Sequence, residues 1–551
     1  MTDAKHFLHS TTKDLADSLY QTNLQMEEQE AKRRATALGF QYIDLKNFPV
    51  DLNVLGLWTE TEAAAAQGAI FYRDGNDLRV GCVDPKNPAL IEKLKDLQNQ
   101  YDLSIYICSK SSFDTTLKLY KKIVTAQHHH GETVDITKHL NYSEAVKKIT
   151  TADPAQLGAG YILEAIFSAA MAATASDIHF EPEKNSLRVR IRIDGLLQDV
   201  FLLDRSKQKE IYSRIKILSK MKLNVENLPQ DGRMTFYYLK KPIDVRVSSL
   251  PSAYGEAFVL RLLGTGTIRL SMDKLGLVGH SANVIFDELA RPNGMIITTG
   301  PTGSGKTTTL YTFLAELNKP GVKIITLEDP IEYKLEGIQQ TPIDHTVDFS
   351  FAKGLRAVLR QDPDIVMVGE IRDQETAETA LQASLTGHIV LSTLHTNDAA
   401  SSITRLYNMG VKPYVIAPAL NAIIAQRLLR RICEHCKVES VLDPHLLEKI
   451  MLQLKAIPEK FRSFDIRKVT FYHSPGCEQC MNLGYKGRIG VYEIIQVEEN
   501  IKNLILKEAS INEIKKTARE NGSLSMTQDG LVKALMGITD VEEVLRVTGE
   551  Y

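Results

Sequence analysis

The residues with the clearest chemical meaning form a glycine-rich loop in the second half of the chain. Residues 300–307 fit the pattern G-x-x-x-x-G-K-T, after the apolar run Met295–Thr299 and before the helical run Thr308–Leu317. In this strand–loop–helix context, backbone N–H groups surround phosphates, the lysine reaches the β- and γ-phosphates and the last hydroxyl holds Mg²⁺. A chance glycine turn is the alternative, and the two flanking elements argue against it. We predict ATP hydrolysis at a site centred on Lys306, with Thr307 on Mg²⁺. The nucleotide-binding residues are predicted to be Gly300, Pro301, Thr302, Gly303, Ser304, Gly305, Lys306, Thr307 and Thr308.

Two acidic residues follow other apolar runs and are candidates for the hydrolytic step. Glu370 follows the run Ile365–Gly369, and Glu328 follows Ile325–Leu327. A carboxylate at the end of a strand beside a phosphate loop can act on Mg²⁺, orient the attacking water or accept its proton. Either residue alone could be an ordinary surface charge, but two such acids after one phosphate loop favour catalysis. The spacing leaves open which of the two is the base.

Two histidines, His388 and His395, bracket the apolar run Ile389–Leu394. A single histidine in such a place is usually structural. Because this run is predicted to be a strand beside the strand before the phosphate loop, we treat both histidines as candidate sensors of the γ-phosphate.

Four cysteines form two C-x-x-C pairs, Cys433 with Cys436 and Cys477 with Cys480. Two thiolate pairs can make a closed, tetrahedral zinc site. The gap between the pairs, residues 437–476, is longer than in common zinc ribbons. A redox disulfide is the main alternative, but two pairs favour a metal. Four unrelated cysteines are the least favoured interpretation.

The composition is that of an ordinary globular protein. The 551 residues are 43% hydrophobic and 24% charged, with a formal net charge of -2, so no field from the whole chain favours nucleic acid or anionic lipid. No apolar run reaches the ~20 residues that a membrane-spanning helix needs. The nearest, Val415–Ala425, is predicted to be a core helix. Met1–Ser10 lacks the features of a secretory signal, and we expect a cytoplasmic protein.

Changes in the hydrophobic pattern divide the chain into four segments. Residues 1–125 form a predicted α/β domain with a hairpin at Asp74-Gly75. Residues 126–150, which include His128–His130, are predicted to be a linker rather than a metal site. In residues 151–268, Leu187–Ile193 alternates with arginines, which indicates a strand of an α+β domain with one cationic face. Residues 269–551 contain short apolar strands between helices, which indicates a parallel sheet covered on both faces and a mostly helical tail.

Four motifs of the last segment together resemble those of the secretion ATPase superfamily. They are the phosphate loop, ITLEDPIE (Ile325–Glu332), RQDPDIVMVGEIRD (Arg360–Asp373) and TGHIVLSTLHTNDA (Thr386–Ala399), which resemble the P-loop, Asp box, Walker B motif and His box. Within the superfamily, the chain resembles the assembly ATPases of type IV pili and type II secretion over roughly residues 150–551. The resemblance implies an α/β multidomain fold: a RecA-like P-loop domain in 269–551, a PAS-like domain in 151–268 and, on a looser match, the N-terminal domain of type II secretion ATPases in 1–125.

The resemblance also assigns roles to arginines and cysteines. Arg246 and Arg261 begin and end the stretch RVSSLPSAYGEAFVLR, which matches the stretch that carries the family's arginine fingers. Such arginines neutralise charge on the transferred phosphoryl group, whereas a surface salt bridge would contribute little. The alternating arginines Arg188, Arg190 and Arg192 are assigned a supporting or interface role. Assembly-type and secretion-type members carry the tetracysteine motif and retraction-type members lack it, which argues against a retraction motor.

The function implied by the resemblance is ATP-driven assembly of a type IV pilus, with assembly of a type II secretion pseudopilus as the alternative. The implied partners are the other subunits of a homohexamer, an inner-membrane platform protein and a cytoplasmic actin-like or linker assembly protein at the N-terminal domain. The protein is expected at the inner face of the plasma membrane without inserting into it, and without nucleic acid. A conjugation-type DNA-translocating ATPase and a non-motor nucleotide sensor are further alternatives, and the motif set argues against both.

Overall fold

A computed structural model describes residues 23–48, 50, 52–74, 76–98, 101–127, 134–150, 158–263, 271–462 and 464–549. Met1–Ser10 and His128–His130, on which predictions were made above, lie outside the described residues. The chain divides into two compact units. Residues 1–265 without 194–196 form the first, and residues 266–551 with 194–196 form the second.

The first sheet of the first unit has four strands. Its elements are α1 (23–38), β1 (Gln41–Tyr42), α2 (Leu52–Leu55), α3 (Glu60–Ala66), β2 (Gly68–Asp74), β3 (Asp77–Cys82), α4 (Pro88–Gln98), β4 (Asp102–Ile107) and α5 (Lys110–Gln127). The strand order is β1-β4-β3-β2. Strands β2 and β3 pair antiparallel, which confirms the predicted hairpin, and the other pairs are parallel. Trp58, Phe71 and Phe113 are buried in the core between this sheet and its helices.

The second sheet of the first unit has seven strands. Its elements are β5 (Asp135–Ile136), α6 (Tyr142–Thr150), α7 (Ala159–Ala172), β6 (Asp177–Pro182), β7 (Ser186–Ile193), β8 (Leu196–Asp204), α8 (Gln208–Leu218), β9 (Gln230–Tyr238), β10 (Lys241–Ser252) and β11 (Gly255–Leu262), in the order β5-β9-β10-β11-β6-β7-β8. The apolar residues of β7 are buried and its arginines half-buried in strict alternation, as predicted. The predicted linker 126–150 is too long, because β5 pairs with β9 and α6 packs in the same unit.

The second unit is built on a seven-stranded sheet with helices on both faces. Its elements are α9 (Met272–Leu275), α10 (Gly279–Leu289), β12 (Gly294–Thr299), α11 (Lys306–Leu317), β13 (Ile324–Glu328), β14 (Gln339–Pro342), α12 (Phe351–Val358), β15 (Ile365–Val368), α13 (Gln374–Leu385), β16 (Ile389–Leu394), α14 (Ala399–Asn408), α15 (Pro413–Ala419), β17 (Leu420–Ile432), β18 (Val438–Ser440), α16 (Pro444–Lys455), β19 (Phe471–His473), β20 (Tyr485–Gln496), α17 (Glu499–Leu506), α18 (Ile511–Glu520), α19 (Met526–Leu535) and α20 (Val541–Thr548). The order is β14-β13-β15-β16-β12-β17-β20, parallel except for the pair β17–β20. Every residue of β12, β13 and β15 is buried, as expected for a sheet covered on both faces.

The prediction of a core helix over Val415–Ala425 is wrong. Helix α15 ends at Ala419, and β17 begins at Leu420 and lies between β12 and β20. Pro418 cannot donate a hydrogen bond within a helix, and Ile423 and Ile424 are β-branched, which favours a strand. A short, wholly apolar run does not distinguish a buried helix from a buried strand. The tail is accordingly not mostly helical where it joins the sheet, because β17 and β20 extend that sheet.

Among the described residues, no helix is both long and apolar enough to cross a membrane.

Candidate active site

The loop between β12 and α11 has a backbone that glycine permits at three positions. Gly300, Gly303 and Gly305 have φ of +149°, +80° and +90°. A β-carbon at Gly300 would lie 2.5 Å from the carbonyl oxygen of Gln426, and one at Gly305 would lie 2.8 Å from the Gln426 Nε2. Larger residues at 300 and 305 would therefore push the loop away from β17. Helix α11 starts directly at Lys306, so its first N–H groups remain available to an anion.

Lys306 is buried within this loop. Its Nζ donates to the carbonyl oxygens of Gly300 and Pro301, at 2.8 and 3.2 Å. Burial lowers the pKa of the Lys306 ammonium, and the negative charge of Glu370 acts in the opposite direction. Two neutral carbonyls are weak partners for an ammonium, so a phosphate in the loop would be a better one. Thr307, the next residue, is exposed, and its hydroxyl is accessible to a hydrated cation.

Gln426 on β17 holds the loop and the first turn of α11 together. The side chain is buried, and its Oε1 accepts a hydrogen bond from Thr309 Oγ1 at 2.9 Å. The preceding residue, Ala425, pairs with Thr299 at the end of β12. Gln426 therefore holds the loop in place from its position on β17. This role could not be predicted from the sequence, because the run before Gln426 fits a helix as well as a strand.

Glu370 lies just past the carboxyl end of β15. One carboxylate oxygen is 2.5 Å from Arg372 Nη2, and the other is 3.5 Å from His395 Nε2. The pKa of His395 is lowered by burial and by the positive charge of Lys306, and Glu370 opposes this shift. The imidazole is therefore neutral at pH 7. The structure thus brings Glu370, Lys306 and His395 to the same edge of the sheet.

Glu328 ends the neighbouring strand, β13, in a different environment. Only 3% of this residue is exposed. Its carboxylate accepts hydrogen bonds from the Tyr311 hydroxyl, from Thr326 Oγ1 at 2.6 Å and from Gln340 Nε2 at 3.1 Å. Burial and the adjacent carboxylate raise the pKa of Tyr311, which therefore stays a donor. Three hydrogen-bond donors fix the carboxylate of Glu328. The carboxylate of Glu370 instead contacts one guanidinium group, that of Arg372, and one imidazole nitrogen, that of His395.

His388 does not reach the phosphate loop, and its assignment as a sensor is corrected. Strands β12 and β16 are parallel, with Gly294 opposite Ile389 and Thr299 opposite Leu394. His388 therefore lies at the amino end of β16, and the loop lies at the carboxyl end. The Nδ1 of His388 is 2.9 Å from the Ala383 carbonyl oxygen, which is a structural contact. Because strand residues are ~3.3 Å apart, the two ends of this pair are roughly 17 Å apart.

The two candidate arginine fingers of the first unit stand side by side. The strand registers place Arg233, Arg246, Arg261, Asp177 and Arg192 in one row across β9, β10, β11, β6 and β7. Like charges directly opposite on neighbouring strands are destabilising. The row thus brings four guanidinium groups and one carboxylate together on one face of the sheet. Arg233 could not be predicted as part of this row, because only the strand register shows that it is opposite Arg246.

The other arginines of β7 are paired. Arg188 contacts Glu183 at 2.8 Å and Arg190 contacts Glu181 at 2.6 Å. These contacts neutralise the two residues locally, and the supporting or interface role assigned to them stays a prediction.

The four paired cysteines converge at the ends of β17 and β20. Their Sγ atoms all lie within 4.8 Å of one another. The pairs Cys433–Cys477 and Cys436–Cys480 are each 3.9 Å apart, and Cys477–Cys480 is 3.8 Å apart. A tetrahedral zinc with Zn–S bonds of ~2.3 Å requires sulfurs about 3.8 Å apart. The donor set fits zinc, and all four cysteines are free thiols.

The fold and the site together define a P-loop ATPase core: a parallel sheet in which the phosphate loop follows one strand and acids follow two neighbouring strands. The model of the family described as type II/IV secretion system protein matches residues 156–546, and the chain belongs to this family of secretion and pilus-assembly ATPases. A second model, described as the MshEN domain, matches residues 38–126.

Relatives of two kinds resemble the chain. PilB, a type IV pilus assembly ATPase of Thermus thermophilus, is 36% identical over 97% of this chain, which spans 59% of that protein. PilB of Myxococcus xanthus is 37% identical over 92% of this chain and 88% of its own length. Type II secretion system protein E of Aeromonas hydrophila is 43% identical, over 71% of this chain and 75% of its own length.

The fold also resembles a solved structure, the Legionella pneumophila ATPase DotB. The TM-score is 0.52 at 21% identity, over 71% of this chain and 96% of that one. At this identity, the likeness concerns the fold alone.

Proposed function

We propose that this ATPase powers assembly of a type IV pilus. The observation that carries the proposal is the extent of the matches. The pilus assembly relatives match 92–97% of the chain, including the N-terminal residues, whereas protein E of Aeromonas hydrophila matches 71%. The secretion relative is 43% identical over its shorter matched part, and the pilus assembly relatives are 36–37% identical over nearly the whole chain. Assembly of a type II secretion pseudopilus is therefore the second candidate.

In the proposed reaction, the loop from Gly300 to Thr308 binds the phosphates of ATP. Lys306 moves from its two carbonyl partners to the β- and γ-phosphates. Glu370 and Glu328 are the candidates for orienting the attacking water. The neutral imidazole of His395 would form a hydrogen bond, as donor or acceptor, with the group that is bound to Glu370. Arg246 and Arg261 neutralise the charge that grows on the transferred phosphoryl group.

Two metals belong to the proposal. The Thr307 hydroxyl would hold Mg²⁺, and the ion would supply positive charge beside the phosphates. Zinc would be held by Cys433, Cys436, Cys477 and Cys480. It would join the segment 433–436 to the segment 477–480. The S···S spacing of 3.8–3.9 Å supports zinc over two disulfides, whose sulfurs are ~2.05 Å apart.

We propose that the protein acts as a homohexamer in the cytoplasm, at the inner face of the plasma membrane. Its partners would be an inner-membrane platform protein and, through the N-terminal domain, an actin-like or linker assembly protein. Neither nucleic acid nor insertion into the membrane is part of the proposal.

Deletion of the gene in its host tests the proposal, with surface pili and secreted proteins scored in the same strains. We expect loss of pili with normal secretion, restored by the intact gene and not by the Lys306→Ala gene. Loss of secretion with normal pili would make the protein a secretion motor. Normal pili and normal secretion would reject both functions, and DNA-stimulated turnover or signalling would then be measured.

A further inference from the structure

Arg261 is anchored at one edge of its guanidinium group and open over the rest of the side chain. Its Nε donates to Asp177 Oδ1 at 3.0 Å, while 58% of the side chain is exposed. An arginine held through Nε keeps its two terminal amino groups available in a fixed plane. That is the arrangement required to present a bidentate donor to a phosphoryl oxygen.

Asp177 is itself fixed. Only 8% of its side chain is exposed. Its Oδ2 accepts a hydrogen bond from Ser176 Oγ at 2.8 Å and lies 3.4 Å from Arg192 Nε. The registers Arg261–Asp177 and Asp177–Arg192 fix its place between two strands, so the backbone also determines where the carboxylate lies.

Charge along the row makes this carboxylate important. Arg246 lies directly opposite Arg261 on the other side, and like charges at directly opposite positions are unfavourable. Asp177 is the carboxylate that opposes this repulsion within the row. A long, exposed arginine without such an anchor would lose rotamer entropy each time it engaged a phosphate.

We propose that Asp177 is a positioning residue for the ATPase reaction, which holds Arg261 by its Nε so that the terminal amino groups meet the transferred phosphoryl group. The inference rests on the proposed role of Arg261 as an arginine finger. It adds the residue that orders this finger before ATP arrives.

A double-mutant cycle in the full-length protein tests the inference. The variants are Asp177→Asn, Arg261→Ala and both together, and the measurements are kcat and KM for ATP. We expect Asp177→Asn to lower kcat at least ~10-fold with a change in KM below ~3-fold, because the finger acts on the transition state. In the Arg261→Ala background, Asp177→Asn should have no further effect on kcat, since its target is gone.

Glu181→Gln is the matched control. Glu181 lies on the same face of β6 and pairs with Arg190 as Asp177 pairs with Arg261. This variant loses one carboxylate from the same sheet, and kcat should stay within ~2-fold of wild type. Ser176→Ala, which frees one side of Asp177 without changing charge, should lower kcat in the same direction by less, and it keeps the test open if Asp177→Asn does not fold.

The outcomes separate this inference from the proposed function. Wild-type kcat for Arg261→Ala would reject the finger and with it the role of Asp177. A low kcat for Arg261→Ala with normal values for Asp177→Asn and Ser176→Ala would overturn the Asp177 role alone. Additive effects of Asp177→Asn and Arg261→Ala on kcat would also overturn it, because the two residues would then act independently.

Discussion

Two glutamates at the carboxyl ends of adjacent strands differ in what surrounds them. Glu328 is enclosed by hydroxyl and amide donors, and Glu370 is in contact with Arg372 and His395. A buried carboxylate with three donors is costly to change, because an amide in its place turns an N–H donor, instead of an acceptor, toward those donors. The same change at Glu370 would place the amide beside two groups only, Arg372 and His395, so it should cost less stability.

We predict that Glu370→Gln lowers turnover ~100-fold or more with little change in thermal stability. Glu328→Gln should lower both turnover and stability, the latter by ~1–3 kcal/mol. The rate of ATP hydrolysis in a single-turnover experiment and the thermal unfolding of each variant test these two expectations. Tyr311→Phe, which removes one donor to Glu328, is the control for the stability effect. An equal loss of stability in both glutamine variants would contradict the difference in environment.

Lys306→Ala should weaken ATP binding at least ~10-fold, because a charge-assisted contact to phosphate is lost while the loop backbone remains. Equilibrium binding of a fluorescent ATP analogue measures it. Lys319→Ala, a lysine past the end of the same helix, provides the control. Normal ATP turnover by Lys306→Ala would reject the assignment of the phosphate site.

Strand β17 determines the shape of the phosphate loop. The carbonyl of Gln426 leaves no room for a β-carbon at Gly300, whereas nothing lies within 4 Å of one at Gly303. Both glycines have positive φ. The two positions therefore separate the effect of the clash from the effect of backbone conformation.

Gly303→Ala should cost only the left-handed backbone penalty of ~1–2 kcal/mol in stability and keep ATP binding. Gly300→Ala should carry a similar penalty and, in addition, lose ATP binding ~10-fold or more, since the loop must move away from β17. Unfolding curves with and without nucleotide measure both. Equal binding by the two variants would mean that the contact with Gln426 does not shape the loop.

The cysteine cluster joins the two strands that extend the sheet beyond the phosphate loop. Cys433 follows β17 directly, its N–H donates to the Gly484 carbonyl oxygen at 2.9 Å, and β20 begins at the next residue, Tyr485. A metal here would hold the ends of this antiparallel pair together. Metal binding to four preformed thiolates adds its binding free energy to folding.

We predict about one zinc per chain. Removal of zinc by a chelator should lower the melting temperature by several degrees, reversibly on re-addition. Cys480→Ser should lose the metal, and Cys82→Ser, a buried cysteine of the first unit, should keep it. Metal analysis and thermal unfolding provide the readouts. Stabilisation that a reductant abolishes and a chelator does not would indicate disulfides instead.

In the proposed homohexamer, the arginines that complete a nucleotide site could come from the same subunit or from its neighbour. The phosphate loop lies in the second unit, and Arg246 and Arg261 lie in the first. In the proposed homohexamer, the nucleotide would lie close to the neighbouring subunit. Arginines in trans would couple each site to its neighbour, and arginines in cis would not.

Co-expression of Lys306→Ala chains with Arg246→Ala/Arg261→Ala chains distinguishes the two arrangements. Each chain alone should have little turnover. If the arginines act in trans, some sites of a mixed ring combine an intact loop with intact arginines of the neighbouring chain. At equal mixing and random order, half of the loops are intact and half of their neighbours carry the arginines, so we expect about a quarter of wild-type turnover. Turnover no higher than in either variant alone would place the arginines in cis or show that mixed rings do not form, which tagged co-purification resolves.

The phosphate loop, the acids at two strand ends, the neighbouring His395 and the two thiol pairs could all be predicted from the sequence. These features depend on neighbours along the chain: an apolar run, then glycines or an acid at a fixed spacing, and local spacing determines local backbone geometry. The alternation in β7 likewise predicted a strand with an arginine face, because the period of two is a property of the strand itself.

The tertiary structure decided what depends on register and on contacts far apart in sequence. It showed that residues 420–432 form a strand rather than a helix, that His388 is at the wrong end of β16, and that Glu328 is enclosed. It also placed Gln426 behind Gly300 and Asp177 beside Arg261. A wholly apolar run fits a buried helix or a buried strand equally well, and the choice follows from which neighbours satisfy its backbone, which only the assembled sheet determines.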